Sequence, residues 1–126
     1  MLIYSCDMGH ASRGHSHSGP LDGATAADVA EAMQALATPS RVRILAELSE
    51  QPRAVGELAA AVEMEQSAVS HQLRLLRHLG LVVGERQGKR IVYALHDSHV
   101  GVLLAEAIYH VEHLRLGLID RAAEAS

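Results

Sequence analysis

A chain of 126 residues, 48% hydrophobic yet without Phe or Trp, suits one domain whose core must be filled by Leu, Val, Ile, Ala and Met. Its single cysteine, Cys6, excludes an internal disulfide framework and fits a reducing cytoplasm, and no run approaches the roughly 18 apolar residues that span a bilayer. The net charge of −4 conceals an asymmetry: between positions 66 and 90 five cations face one carboxylate, so that stretch carries +4 and the remainder −8, a local footprint for a polyanion.

Residues 1–23 are rich in Gly, Ser and His, have no hydrophobic period and no apolar signal core, and are expected to form a mobile arm. Positions 24–37 are Ala-rich, with Val29, Met33 and Leu36 at helical spacing. Thr38-Pro39 then supplies an N-cap and a first-turn proline for a helix over SRVRILAELSE, with Val42, Leu45 and Leu48 on one stripe. Gln51-Pro52 ends it. A short helix over 54–64 and a tight join around Glu63–Gln66 lead into SAVSHQLRLLRHLG, where Val69, Leu73 and Leu76 face inward and Gly80 is the stop. Two short helices joined this way make a helix-turn-helix candidate. LVVGERQGKRIVYAL (81–95) places two β-branched runs around Gln87-Gly88, a hairpin signal. From Asp97 a last helix is expected to run to about Gly117, followed by a polar tail over 118–126. The expected fold is mainly α (α+β): a winged helix-turn-helix over 24–117 with long N- and C-terminal dimerisation helices.

The second helix of the pair presents Gln66, Ser67, Ser70, His71, Gln72 and Arg74 on its first two turns. Short polar groups near a helix N-terminus reach base edges and phosphates, and Gln and Arg have base-reading hydrogen-bond geometry. Arg86, Lys89 and Arg90 on the hairpin would grip the phosphate backbone alongside. A polar solvated helix face with a charged turn is the plainer reading. The ordered succession of helix, turn, helix and basic hairpin favours double-stranded DNA.

DSHVGVLLAEAIYHVEH (97–113) carries Asp97 and His99 at its start and His110 and His113 at its end. His99 and His110 are 11 residues apart, about 1,100° around the helix, so they point the same way, but about 16 Å apart along the axis. Metal–nitrogen bonds are about 2.0–2.1 Å, so one straight helix cannot close this site. Two such helices packed antiparallel across a two-fold axis can, twice per dimer. The spacing therefore predicts a homodimer with two intersubunit metal sites. The alternative is a capping Asp and three surface histidines, on a winged-helix regulator that is not metal-controlled and whose last helix serves only to dimerise.

At this point the chain resembles the ArsR/SmtB family of metalloregulatory repressors, over about residues 24–117. The matching segments are ALATPSRVRIL (35–45), EQSAVSHQLRLLRHLGLV (65–82), GERQGKRIVYAL (84–95) and the Asp-x-His-x10-His-x2-His of 97–113. The resemblance implies a dimeric winged-helix repressor that releases operator DNA when metal binds. It implies DNA contacts at Gln66, Ser67, Ser70 and His71, and metal contacts at Asp97, His99, His110 and His113. No enzymatic activity, no membrane and no small organic substrate are expected from the sequence. Consistently, no Gly-x-Ser-x-Gly elbow or phosphate loop stands out, and the Ser67, Ser70, His71 cluster lies on the expected recognition helix.

One departure narrows the metal. Arsenic- and cadmium-sensing members carry Cys-Val-Cys on the first helix of the helix-turn-helix, where this chain has Ala54-Val55-Gly56-Glu57-Leu58. Soft thiolate sensing there is excluded, leaving nitrogen and oxygen donors. Asp plus three His suffices for tetrahedral zinc. The nickel and cobalt sensors of the family want more ligands, and closely similar mycobacterial ones draw them from the N-terminal arm. This arm offers His10, His15 and His17, and Met8-Gly9-His10 would expose the Gly9 amine beside His10 if translation starts at Met8. The expected effector is nickel or cobalt, with zinc as the alternative. Further histidines that such sensors carry are absent, since Arg115 and Ala122 stand there.

Overall fold

The computed structural model describes residues 19–125. The chain divides between Met33 and Gln34 into two units. In the first, helix α1 (Gly23–Gln34) starts where Asp22 accepts from the Thr25 N–H at 2.7 Å and the Thr25 hydroxyl at 3.2 Å. These bonds hold the Asp22 carboxyl below its ordinary range, the Thr25 N–H contributing most. No residue of α1 is buried, and Val29 and Met33, which stand at helical spacing, are exposed.

The second unit begins with a turn in which the Ala37 N–H donates to Gln34 O. The helix expected to reach residue 37 therefore stops at Gln34. Helix α2 (Pro39–Glu50) is capped by Thr38, whose Oγ1 accepts from the Arg41 N–H at 3.3 Å, with Pro39 in the first turn. Ile44, Leu45 and Leu48 are buried, while Val42 is only partly so. The chain turns extended at Gln51, as the residue before a proline prefers.

Arg53–Ala54 then forms strand β1, which the sequence pattern assigned in part to a helix. Two residues carry no period, so only their pairing defines them: Arg53 opposite Tyr93 and Ala54 opposite Val92. Helix α3 (Val55–Val62) follows and ends at Glu63, whose φ of 57° and ψ of 49° are left-handed. The Met64 N–H donates to Ala59 O at 3.0 Å across this turn. Helix α4 (Gln66–His78) buries Val69, Leu73 and Leu76. It closes at Gly80 (φ +79°), where the Leu81 N–H reaches back to Leu76 O at 2.9 Å.

Strands β2 (Val82–Gln87) and β3 (Arg90–Leu95) form the hairpin, paired from Val82–Leu95 to Gln87–Arg90. Gly88, with φ +68°, opens a two-residue loop that requires this conformation. The three antiparallel strands lie in the order β1-β3-β2. Helix α5 (Ser98–Ala125) starts where Asp97 Oδ1 accepts from the His99 N–H at 3.0 Å. It passes Gly117 and continues through the expected tail, because Gly117 does not take positive φ and the Ala, Leu, Glu and Arg beyond it favour helix.

The core lies where α2, α3, α4, β2 and the first turns of α5 meet. Ile44, Leu45, Leu58, Val62, Val69, Leu73, Leu76 and Val82 are fully buried there, with Val100 and Leu104 from α5. Each such side chain contributes about 1.5–3 kcal/mol. Together they fix α4, the hairpin and the start of α5 against one another. No helix among the described residues is long and apolar enough to cross a membrane.

Candidate DNA interface and metal centre

Because Val69, Leu73 and Leu76 point into the core, the opposite side of α4 is forced outward. Gln66, Ser67, His71 and Arg74 are exposed, and Ser70 is partly so. The structure therefore brings five of the six expected reading residues to one accessible helix face. Gln72 differs. Its Oε1 accepts from Arg41 Nε at 2.9 Å, and Arg41 Nη1 donates to Ala35 O at 3.2 Å. Gln72 is thereby engaged in holding α4 to α2, which the sequence period could not reveal. Gln66 lies close over Gly56: a Cβ added there would sit 3.3 Å from Gln66 Nε2.

On the wing, Arg86, Lys89 and Arg90 are all exposed. Arg86 Nη1 donates to Gly88 O at 3.4 Å, folding along the hairpin loop. Arg90 Nη2 reaches Glu57 Oε2 at 3.3 Å, while Glu57 Oε1 accepts from the Ala54 N–H at 2.9 Å. Glu57 thus joins the start of α3 to the wing. The Ala54 N–H above all holds its carboxyl below the ordinary range, with Arg90 adding to this against partial desolvation. Glu57 escaped the sequence reading, although its place three residues into a short helix is a capping signal.

At the start of α5, Asp97 and His99 come together. Asp97 Oδ2 lies 3.4 Å from His99 Nδ1 and 3.3 Å from His96 Nδ1. Desolvation pushes the Asp97 carboxyl up, but the His96 side chain, the His99 N–H and both imidazoles outweigh it and hold it below its ordinary range. His96 is a neighbour that the donor spacing did not include. His110 and His113 are exposed one turn apart further along α5, and the His113 ring lies 5.9 Å from the Tyr109 ring. Among the described residues of one chain, no group of three or more His, Cys, Asp or Glu gathers in a metal-holding arrangement. The two pairs thus stay at separate stations of one helix. As donors they fit a divalent ion of nitrogen and oxygen preference: one ionised carboxylate and three accessible imidazoles. Gly9 and His10, the further donors expected from the arm, lie outside the described residues, as do Cys6, Met8, His15 and His17.

From its first station to just past its second, α5 leaves apolar side chains uncovered. Val102, Leu103, Ile108, Val111 and Leu114 are all exposed. A groove of about 300 Å³ runs between α2 and α5, lined by Ala46, Ser49, Leu104, Ala105, Ile108 and Tyr109 among others.

Residues 38–83, from the cap of α2 to the start of β2, match the bacterial regulatory proteins of the arsR family. The chain is 60% identical over 119 residues to the HTH-type transcriptional regulator NmtR of Mycobacterium tuberculosis, covering 94% of this chain and 99% of NmtR. The solution structure of apo-NmtR superposes with a TM-score of 0.67 at 62% identity, covering 79% of this chain and 83% of that one. A homodimeric winged helix-turn-helix DNA-binding domain from Mycobacterium bovis superposes with a TM-score of 0.66 at 34% identity, covering 78% and 94%. A cadmium resistance regulatory protein CadC homologue of Staphylococcus aureus is 38% identical over 84 residues, covering 66% and 69%. These relatives are regulators of transcription and not enzymes. With the helix-turn-helix, the wing and these likenesses together, the chain belongs to the ArsR/SmtB family of winged-helix transcriptional regulators.

Proposed function

We propose that this protein is a cytoplasmic, metal-responsive repressor. Its homodimer binds operator DNA through α4 and the wing, and lets go when nickel or cobalt occupies a site between the two C-terminal helices. The observation that carries the reading is the split of donors on α5: Asp97 and His99 at one station, His110 and His113 at another, with bare apolar side chains between. Packing two copies antiparallel would cover those side chains and bring each first station to the partner's second.

Within one chain the roles divide cleanly. Ser70, His71, Gln66 and Ser67 read the duplex, Arg74 and the wing cations hold its phosphates, and Gln72 steadies the reading helix from behind. The Asp97 carboxyl is held toward its ionised, coordinating form, and the imidazoles of His99, His110 and His113 would join it as ligands. A bound divalent ion would supply a Lewis-acid cross-link between the copies. Because Val100 and Leu104 lock the first turns of α5 into the same core that holds Val69, Leu73 and Leu76 of α4, fixing the two copies through α5 also fixes the spacing of their reading heads. DNA half-sites tolerate only certain spacings, so this is where coupling arises.

Zinc is the second reading, favoured by a donor set that is already complete for tetrahedral geometry without the arm. A cobalt(II) absorption spectrum separates the two. Intense visible bands mark four-coordination, and weak bands mark the six-coordination that Gly9 and His10 would complete.

The function is tested by fluorescence anisotropy on a duplex recovered by selection from random DNA. Nickel or cobalt is expected to weaken binding by roughly 5–150-fold, the usual range of such coupling. His110→Ala is expected to bind the duplex as well as the native protein and to ignore the metal. Unchanged affinity of the native protein with nickel, cobalt and zinc would overturn the reading.

A further inference from the structure

His96 stands outside the four donors, yet it touches one of them. Its Nδ1 lies 3.3 Å from Asp97 Oδ2. Its main-chain N–H donates to Leu81 O at 2.9 Å, and the Leu81 N–H donates to Leu76 O at 2.9 Å, closing the end of α4. The Asp97 carboxylate is consequently held on both oxygens. Oδ1 accepts the His99 N–H at 3.0 Å, and Oδ2 faces the imidazoles of His96 and His99. A capping Asp alone could exchange its two oxygens by rotation about one bond. With His96 on Oδ2 and the helix N–H on Oδ1, that exchange is opposed. The peptide carrying His96 cannot drift either, because Leu81 grips it.

We propose that His96 is a positioning residue for the metal site: its imidazole orients the Asp97 carboxylate, and its main-chain bond to Leu81 anchors that orientation to the end of the recognition helix. Ligating carboxylates depend on hydrogen bonds from the groups behind them, and loss of such a partner typically lowers metal affinity about 10–100-fold. The inference rests on the proposed metal site. It assigns a task to a residue that lies beside the donors without being one of them.

The test compares full-length native protein with Asp97→Ala, His96→Ala and His96→Asn. Cobalt(II) affinity is read by competition with a chromogenic chelator, and DNA affinity is read without metal. Asparagine can donate from nearly the place of Nδ1 but is a poor metal ligand. Asp97→Ala is expected to lose the site. His96→Ala is expected to bind cobalt about 10–100-fold more weakly, His96→Asn to recover most of that loss, and both His96 variants to bind DNA as the native protein does. Native affinity in His96→Ala would overturn the proposal. So would an Asn variant as weak as the Ala variant, which would make His96 a ligand. Lost metal-free DNA binding in His96→Ala would also overturn it, placing the effect on the fold. If the native protein itself takes up no cobalt, the metal site fails and the proposal with it. If the native protein binds and His96→Ala matches it, only the role of His96 fails.

Discussion

Two helices that both carry apolar residues at helical spacing behave in opposite ways. On α4 the periodic residues Val69, Leu73 and Leu76 are all at 0% exposure. Among the described side chains of α5 only Val100 and Leu104 are buried, and Leu103, Ile108, Val111 and Leu114 are left at 39–50%. A helix whose stripe is fully buried within its own chain is a finished part, and its polar face can be built for a ligand. A helix whose stripe stays bare asks for another surface, and any donors along it can be divided between copies. The DNA-reading half is therefore complete in one chain, and the proposed metal half is complete only in two.

The comparison breaks most directly through paired truncations. Leu73→Ala is expected to destabilise the folded chain by about 2–5 kcal/mol, read as a fall in urea midpoint. Leu103→Ala is expected to leave that midpoint nearly unchanged at high protein concentration and to shift the monomer–dimer balance toward monomer, read by sedimentation. Equal effects of both on the midpoint would erase the distinction. Next in size, His71→Ala is expected to cost about 1–3 kcal/mol of DNA affinity while leaving cobalt affinity untouched. Loss of both would mean that reading and sensing are not separable.

Smaller effects sharpen the same picture. Thr38→Ala removes the cap of α2 and is expected to cost about 1 kcal/mol by thermal unfolding, with no change in metal affinity. The weakest handle is acid. The Glu57 carboxyl is held below its ordinary value of 4.5, so its contribution to the α3–wing joint is fully present above that value and lost as pH falls through the lower folded value. Glu57→Gln is expected to flatten the stability profile below pH 4.5 only slightly, because the group is solvent-exposed, and a profile unchanged from native would remove the joint from the account.

Much of the fold was legible because its signals are local. Thr38-Pro39 starts α2, Gly80 stops α4 and Gly88 turns the hairpin, each for a reason carried by one or two residues. Strand β1 was not legible, because Arg53 and Ala54 become a strand only by meeting Tyr93 and Val92 across the sheet. The helix α5 was expected to end at about Gly117, but Gly117 keeps an ordinary helical backbone and the helix continues to Ala125. In the candidate site, residue types and spacing announced the reading face and the four donors. The partners behind them, Arg41 behind Gln72, Glu57 behind Arg90 and His96 behind Asp97, depend on side-chain contacts between neighbouring elements that no period encodes.

The central claim is that each metal site is shared between copies, and mixing two broken chains tests it most directly. His99→Ala and His110→Ala proteins are each titrated with cobalt(II), then unfolded together, refolded and titrated as a mixture. In a mixed dimer the His99→Ala chain still offers His110 and His113, and the His110→Ala chain still offers Asp97 and His99. The account predicts that neither protein alone binds tightly and that the mixture regains one site per mixed dimer. A mixture that binds no better than its components would contradict a site built from two chains.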